Sequence, residues 1–139
     1  MPISLTVKVA FEAAHRLHNP DRTDGWNRDH FGKCNNLYGH GHNYVLEVEV
    51  GGETDPDTGY LMDMKELKGI LRRVVVDEVD HRHLNHEVPW LEGTNPTAEN
   101  LATIFFRRVA PELPPGVRLR AVTVHETDRN SATFRGEKE

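Results

Sequence analysis

Only one cysteine, Cys34, occurs among the 139 residues. A lone thiol excludes an internal disulfide, so nothing argues for export or for a disulfide framework replacing a core. Long apolar runs are missing too. None approaches the roughly 18–20 residues that a membrane-spanning helix needs, so no membrane partner is expected. The stretch Met1-Pro2-Ile3-Ser4-Leu5-Thr6-Val7 lacks the basic segment and apolar core of a secretory leader. The expectation is a cytoplasmic protein. Excess positive charge is also absent: the formal net charge is −5, which gives no support for a nucleic-acid surface. No repeat, low-complexity tract or linker divides the chain, and residues 1–139 are expected to form one domain with its own core.

What the chain does have is histidine, nine in all, and their placement is informative. Residues 3–15 alternate, with Ile3, Leu5, Val7, Val9, Phe11, Ala13 and His15 on one face, the period-2 pattern of a half-buried strand. A lone histidine ending such a face is ordinarily a hydrogen-bonded core residue. Residues 16–39 then form a polar connection, long enough to be functional or to carry a short element. Alternation resumes with His40, His42, Tyr44, Leu46, Val48 and Val50 on one face, until Gly51-Gly52 ends it. So His15, His40 and His42 each sit on the inward parity of a strand, and the two strands can pair antiparallel. Three histidines with an open fourth position describe a catalytic zinc site rather than a closed structural one. Cys34, six residues before His40, is a candidate further ligand, nucleophile or base.

Asp55-Pro56-Asp57-Thr58-Gly59 is turn chemistry. Asp63 with Glu66 makes a capping-box-like start to a helix over residues 64–79, its stripe Met64, Leu67, Leu71, Val74, Val75, Glu78 and Val79. The segment Asp80-His81-Arg82-His83-Leu84-Asn85-His86 reads as a loop. Its irregular histidine spacing leaves three readings: a second metal site, an Asp80–His81 pair for proton transfer, or a solvated turn at a helix end. Asn95-Pro96-Thr97 opens a second helix whose buried stripe is Ala98, Leu101, Ile104, Phe105 and Val109. Residues 117–126 and 131–136 read as two further strands. In the first of them Glu126 shares a face with Val122 and Val124. That carboxylate is either an exposed strand end or an anchor for a cationic or amide-like ligand edge. The order strand, strand, helix, helix, strand, strand predicts an α+β fold with a four-stranded antiparallel sheet and two helices on one face. Its open edges predict an oligomer.

An ordered set of segments carries a resemblance across nearly the whole chain. They are Phe11-Glu-Ala-Ala-His15-Arg-Leu17, Phe31-Gly-Lys-Cys34-Asn-Asn36, Gly39-His-Gly-His-Asn-Tyr44, Leu61-Met-Asp63, Asp80-His81, Pro96-Thr-Ala-Glu-Asn100 and Glu126-Thr-Asp128. Together they resemble the 6-pyruvoyl-tetrahydropterin synthase and 6-carboxytetrahydropterin synthase family. The resemblance implies a tunnelling fold whose subunits join their sheets into a β-barrel, commonly a homohexamer of two stacked trimers. It implies Zn2+ held by His15, His40 and His42, and a pterin triphosphate substrate bound at a subunit interface. Glu126, helped by the Thr97 region, is then expected to bind the pterin edge, Cys34 to remove a carbon-bound proton, and Asp80 with His81 to relay protons. The triphosphate needs cations, for which Lys33, Arg16, Arg22 and Arg28 are candidates.

The spacing Cys34-Asn-Asn-x-x-Gly-His40-Gly-His42 resembles the pyruvoyl type. The alternative is the carboxy enzyme of deazapurine (queuosine) synthesis, which releases acetaldehyde with the triphosphate. Ala98 and Tyr38 depart from the common pattern, where a second threonine and a small or polar residue often stand. The retained cysteine argues against the variant in which glutamate replaces it. Two other classes stay open: a zinc hydrolase and a non-catalytic pterin-binding oligomer.

Overall fold

A computed structural model describes residues 2–137. Two long strands, β1 (Pro2–His15) and β2 (His40–Glu53), pair antiparallel in one unbroken register from Pro2 opposite Glu53 to His15 opposite His40. The expected alternation holds along the middle of both, although Ile3 is exposed and β2 runs on through Gly51-Gly52 to Glu53. Val7, Val9, Phe11 and Ala13 are buried on β1, and Tyr44, Leu46, Val48 and Val50 on β2, while the intervening residues face away. β4 (Arg118–His125) joins the other side of β2, and β5 (Ser131–Phe134) pairs with β4. Arg120 is an extra residue where the register shifts opposite Glu49 and Val50, a bulge of the kind that twists a strand.

Two expectations need correction. The sheet has five strands and is mixed: β3 (Arg82–His83) pairs parallel with Ala13 and Ala14 of β1, giving the order β3-β1-β2-β4-β5. The reason lies at the end of the preceding helix. Asp80 is extended, His81 takes a positive φ of 60°, and the chain is turned onto the β1 edge, where His81 N donates to Glu12 O and Leu84 N to Ala14 O. The long polar connection also contains a helix, α1 (Asp24–Phe31), which makes more helices than the two expected. Thr23 caps it by accepting from Trp26 N, and Gly32 ends it with a φ of 56° that favours glycine.

The expected helix over 64–79 is α2 (Met64–Leu71), a π-helical turn (Arg72–Val76) and a last short piece, α3 (Asp77–Val79). The wider π turn explains how Val74, Val75 and Val76 are all buried, against the stripe a regular helix allows. Arg108 Nε donates to the Val74 carbonyl at 2.7 Å, a side-chain partner beside the irregular turn. Met64 and Glu78 of the expected stripe are exposed. α4 (Ala98–Val109) buries Leu101, Ala102, Phe105 and Val109. Both long helices belong to one apolar cluster with the inward residues of β1, β2 and β4. Phe11 stacks on Tyr44 at 4.9 Å and meets Phe105 edge-on at 6.2 Å. No helix among the described residues is long and apolar enough to cross a membrane.

Candidate metal centre

The apolar face of the β1–β2 pair ends in histidine because the register puts His15 directly opposite His40, with His42 one inward position further along β2. One ring nitrogen from each of the three lies within 4.8 Å of the others. The ring centroids are 4.7 Å apart for His15 and His40, 5.1 Å for His15 and His42, and 4.8 Å for His40 and His42. His15 is fully buried. Its Nδ1–H donates to the Pro96 carbonyl at 2.8 Å and lies 3.2 Å from the Tyr44 hydroxyl. That bond leaves the Nε2 lone pair directed at the cluster, 3.1 Å from His40 Nε2.

The donor set fits a transition metal. His42 Nε2 is buried without a hydrogen-bond partner; the Glu126 Oε1 atom 3.1 Å away is close but not aligned for a hydrogen bond. A buried nitrogen without a hydrogen-bond partner, facing two other imidazoles, suits a cation as its partner. Burial favours the neutral form of His15 and His42. It lowers the His15 pKa to about 4 against the opposing pull of the Pro96 carbonyl, with the neighbouring histidines lowering it further. Burial also lowers that of His42, although Glu126 acts the other way.

The remaining expected residues fall into two groups. Glu126, just past the end of β4, lies against His42 of the cluster, the second of the two places its parity with Val122 and Val124 left open. Thr97 caps α4 by accepting from Asn100 N, directly after the Pro96 whose carbonyl holds His15. Cys34, in a 3-10 turn (Gly32–Asn35), is half-buried and tied down by Leu17 N donating to its carbonyl at 2.8 Å. Burial drives the Tyr44 phenol above its ordinary range, with Glu126 and Cys34 adding to the effect. Gly39 connects the cysteine turn to β2 at a φ of 78°, where a Cβ would lie 2.6 Å from the His15 carbonyl oxygen and 3.0 Å from His83 Nε2. Only glycine fits there.

Asp80 and His81 stand apart. His81 Nδ1 is 2.9 Å from Asp80 Oδ2 and its Nε2 is 3.4 Å from Glu12 Oε2, a residue on the outward parity of β1. Asp80 Oδ1 accepts from Glu12 N at 2.9 Å. The bond to Asp80 raises the His81 pKa, and hydrogen bonds from Glu12 N and His81 lower that of Asp80. A cleft of about 610 Å³ is lined by Glu12, Gly41, His42, Asn43, His81 and His83, but not by Cys34.

The periodicity gave no sign of the asparagines that brace the strand end. Asn85 accepts from Arg16 N and donates to Arg16 O, both at 2.8 Å, immediately after His15. Asn95 accepts from His18 N, and Asn35 donates to Leu17 O. The available signal was composition: buried or bracing asparagines in loops replace the ladder partners that irregular backbone lacks.

The fold and cluster define an α+β protein with a candidate metal centre at the end of its two longest strands. The sequence profile of the family described as 6-pyruvoyl tetrahydropterin synthase matches residues 4–137, and the chain belongs to that family. It is 41% identical over 133 residues to the 6-pyruvoyl tetrahydrobiopterin synthase of Poecilia reticulata, covering 96% of this chain and 90% of that one. It is 40% identical over 130 residues to the protein of that name from Homo sapiens, covering 94% and 89%. The solved 6-pyruvoyl tetrahydropterin synthase of Caenorhabditis elegans shares the fold at a TM-score of 0.92 and 39% identity, over 99% of this chain and 97% of that one.

Proposed function

We propose that residues 1–139 are one pterin synthase domain, a zinc-dependent carbon–oxygen lyase. It converts 7,8-dihydroneopterin triphosphate to 6-pyruvoyl-tetrahydropterin with elimination of triphosphate. The observation that carries this reading is the three-histidine cluster with its unpartnered His42 Nε2, and with the Cys34 turn bonded to Leu17, two residues beyond His15. His15, His40 and His42 hold the metal. Zinc, when bound, would supply Lewis acidity toward the substrate's side-chain hydroxyl oxygens, which makes the adjacent C–H bonds more acidic. Cys34 removes the carbon-bound proton. Glu126, at the cluster, accepts from the amino-pyrimidine edge of the pterin, with the Thr97 turn beside it. Asp80 holds the His81 ring and keeps it basic, as a proton relay requires.

Within one chain His81, held by Asp80, lines a cleft that lacks Cys34, which supports a site shared between subunits. The open edge of β1 supports the same view. β3 pairs with it only at Ala13 and Ala14, so most of a 14-residue strand has an unpaired side that a neighbouring chain would cover. The assembly proposed is a cytoplasmic homohexamer, a dimer of trimers whose sheets close a barrel.

Mass spectrometry of products from the zinc-loaded protein and 7,8-dihydroneopterin triphosphate tests the reading. A product that keeps the three-carbon side chain and has lost triphosphate is expected. A carboxylated pterin with acetaldehyde moves the protein to deazapurine synthesis, and untouched substrate with metal bound rejects the synthase. Cys34→Ala separates the zinc-hydrolase alternative: triphosphate release should fall by about 100-fold or more if the thiol is the base, and stay unchanged if metal-activated water does the work.

A further inference from the structure

A second cleft, about 750 Å³ in volume, opens on the other side of the cysteine turn, lined by Arg16, His18, Asp24, Arg28, Lys33 and Asn35 among others. It concentrates positive charge in a chain whose net charge is −5. Three permanent cations face a single carboxylate, Asp24. Arg73, Arg107 and Arg108, by contrast, are paired with Glu112, Glu137 and Glu78; Arg118, Arg120 and Arg135 line a smaller cleft with Glu49, away from the cysteine turn. Neither Arg28 nor Lys33 has an ion-pair partner among the described residues. Arg22, the other loop arginine, lies over the Trp26 ring at 5.3 Å and outside the cleft.

The cleft is also braced. Asn85 clamps both backbone groups of Arg16, and Arg16 Nε donates to the Asn35 carbonyl at 3.0 Å. Its two terminal nitrogens have no partner among the described residues, and they form the fork that suits phosphate oxygens. Asn35 Nδ2 donates to His18 Nδ1 at 2.9 Å, which puts the neutral ring's proton on Nε2, a further donor. The C-terminal end of α1 and Asp24 oppose an anion here. Both are exposed and partial or single charges, and the three cations outweigh them. Two backbone links tie the cleft to the chemistry: Arg16 follows His15, and Lys33 precedes Cys34.

We propose that this cleft, through Arg16, Arg28 and Lys33 with His18, binds a condensed phosphate chain, and in the enzyme seats the triphosphate that leaves. The assignment to substrate rests on the synthase reading; the affinity for condensed phosphate does not. Calorimetric titration of inorganic tripolyphosphate into the full-length protein, before and after metal removal, tests it. Binding should persist without metal. Arg28→Ala and Lys33→Ala should each weaken it about tenfold, as loss of a charge-assisted bond to phosphate does, Arg28→Lys should restore most of it, and Arg22→Ala should leave it unchanged. Binding that vanishes with the metal is chelation at the histidines, and equal binding by the Arg28→Ala/Lys33→Ala protein is non-specific; either overturns the proposal. Tripolyphosphate binding without pterin turnover rejects the synthase and upholds the cleft. Turnover with unchanged KM in the double variant does the reverse.

Discussion

The histidine cluster and the Asp80–His81 pair use the same side chain in opposite surroundings. His15 is fully buried, and burial holds it neutral down to about pH 4. The His81 side chain is 73% exposed, and its bond to Asp80 raises its pKa. Burial without a carboxylate partner makes a lone pair that binds a cation; exposure with one makes an imidazole that takes up and returns a proton. The cluster is also complete within one chain, whereas the pair reaches out from the sheet edge. Position, not residue type, assigns the two roles.

The strongest way to break the comparison is to remove one member of each site. His42→Ala should strip the metal, with an affinity loss well beyond the roughly 100-fold that losing an outer-shell partner costs; a full metal complement measured by plasma emission would sink the ligand set. His81→Gln should keep that complement and lower kcat about 100-fold, the low end of general acid–base catalysis, while removing the histidine limb from the pH–rate profile. Metal loss in His81→Gln, or retained metal in His42→Ala, would mean that the two sites are not separable.

Next in size is a pH effect confined to the buried site. Above about pH 6.5 His15 is neutral both folded and unfolded. As pH falls below that value the unfolded chain takes up a proton and the folded chain does not, so stability falls until the folded pKa of about 4 is reached. For the metal-stripped protein this amounts to about 2 kcal/mol at pH 5 relative to pH 7, read as a lower urea midpoint. His81 works in the opposite direction: its raised pKa adds stability in acid that disappears as pH rises through it. A midpoint that rises on acidification would mean His15 is not held neutral.

How much of this the sequence carried follows from the same contrast. The convergence of His15, His40 and His42 was legible because strand parity is strict over an unbroken register, and the parity of one strand fixes where its last residue points; parity left Glu126 open between an exposed strand end and a ligand anchor. β3 was not legible. Two residues are too few to show a period, and they pair only because His81 turns the chain. α1 was missed because its one buried residue is polar, Asn27, so it carries no apolar stripe; its signals were Thr23 and Gly32 at its ends. The burial of Val76 needed the π turn, which no 3.6-residue template contains. The role of Asp80 and His81 came from family resemblance, since a loop has no parity to read.

The smallest effect bears on why the pair sits where it does. His81 is the only non-glycine residue with positive φ among those described, a conformation that costs an L-residue about 1–2 kcal/mol. Strain of this kind persists where neighbouring bonds enforce it, here Glu12 O on His81 N and Asp80 Oδ1 on Glu12 N. Comparing His81→Gly with His81→Ala isolates the backbone term, because both lose the imidazole. Glycine should be the more stable by about 1 kcal/mol in denaturant unfolding, since relief of the strain exceeds its extra chain entropy. If alanine proves equal or better, the kink is unstrained, and the bonds to Glu12 are incidental rather than the means by which the sheet edge holds the ring outward.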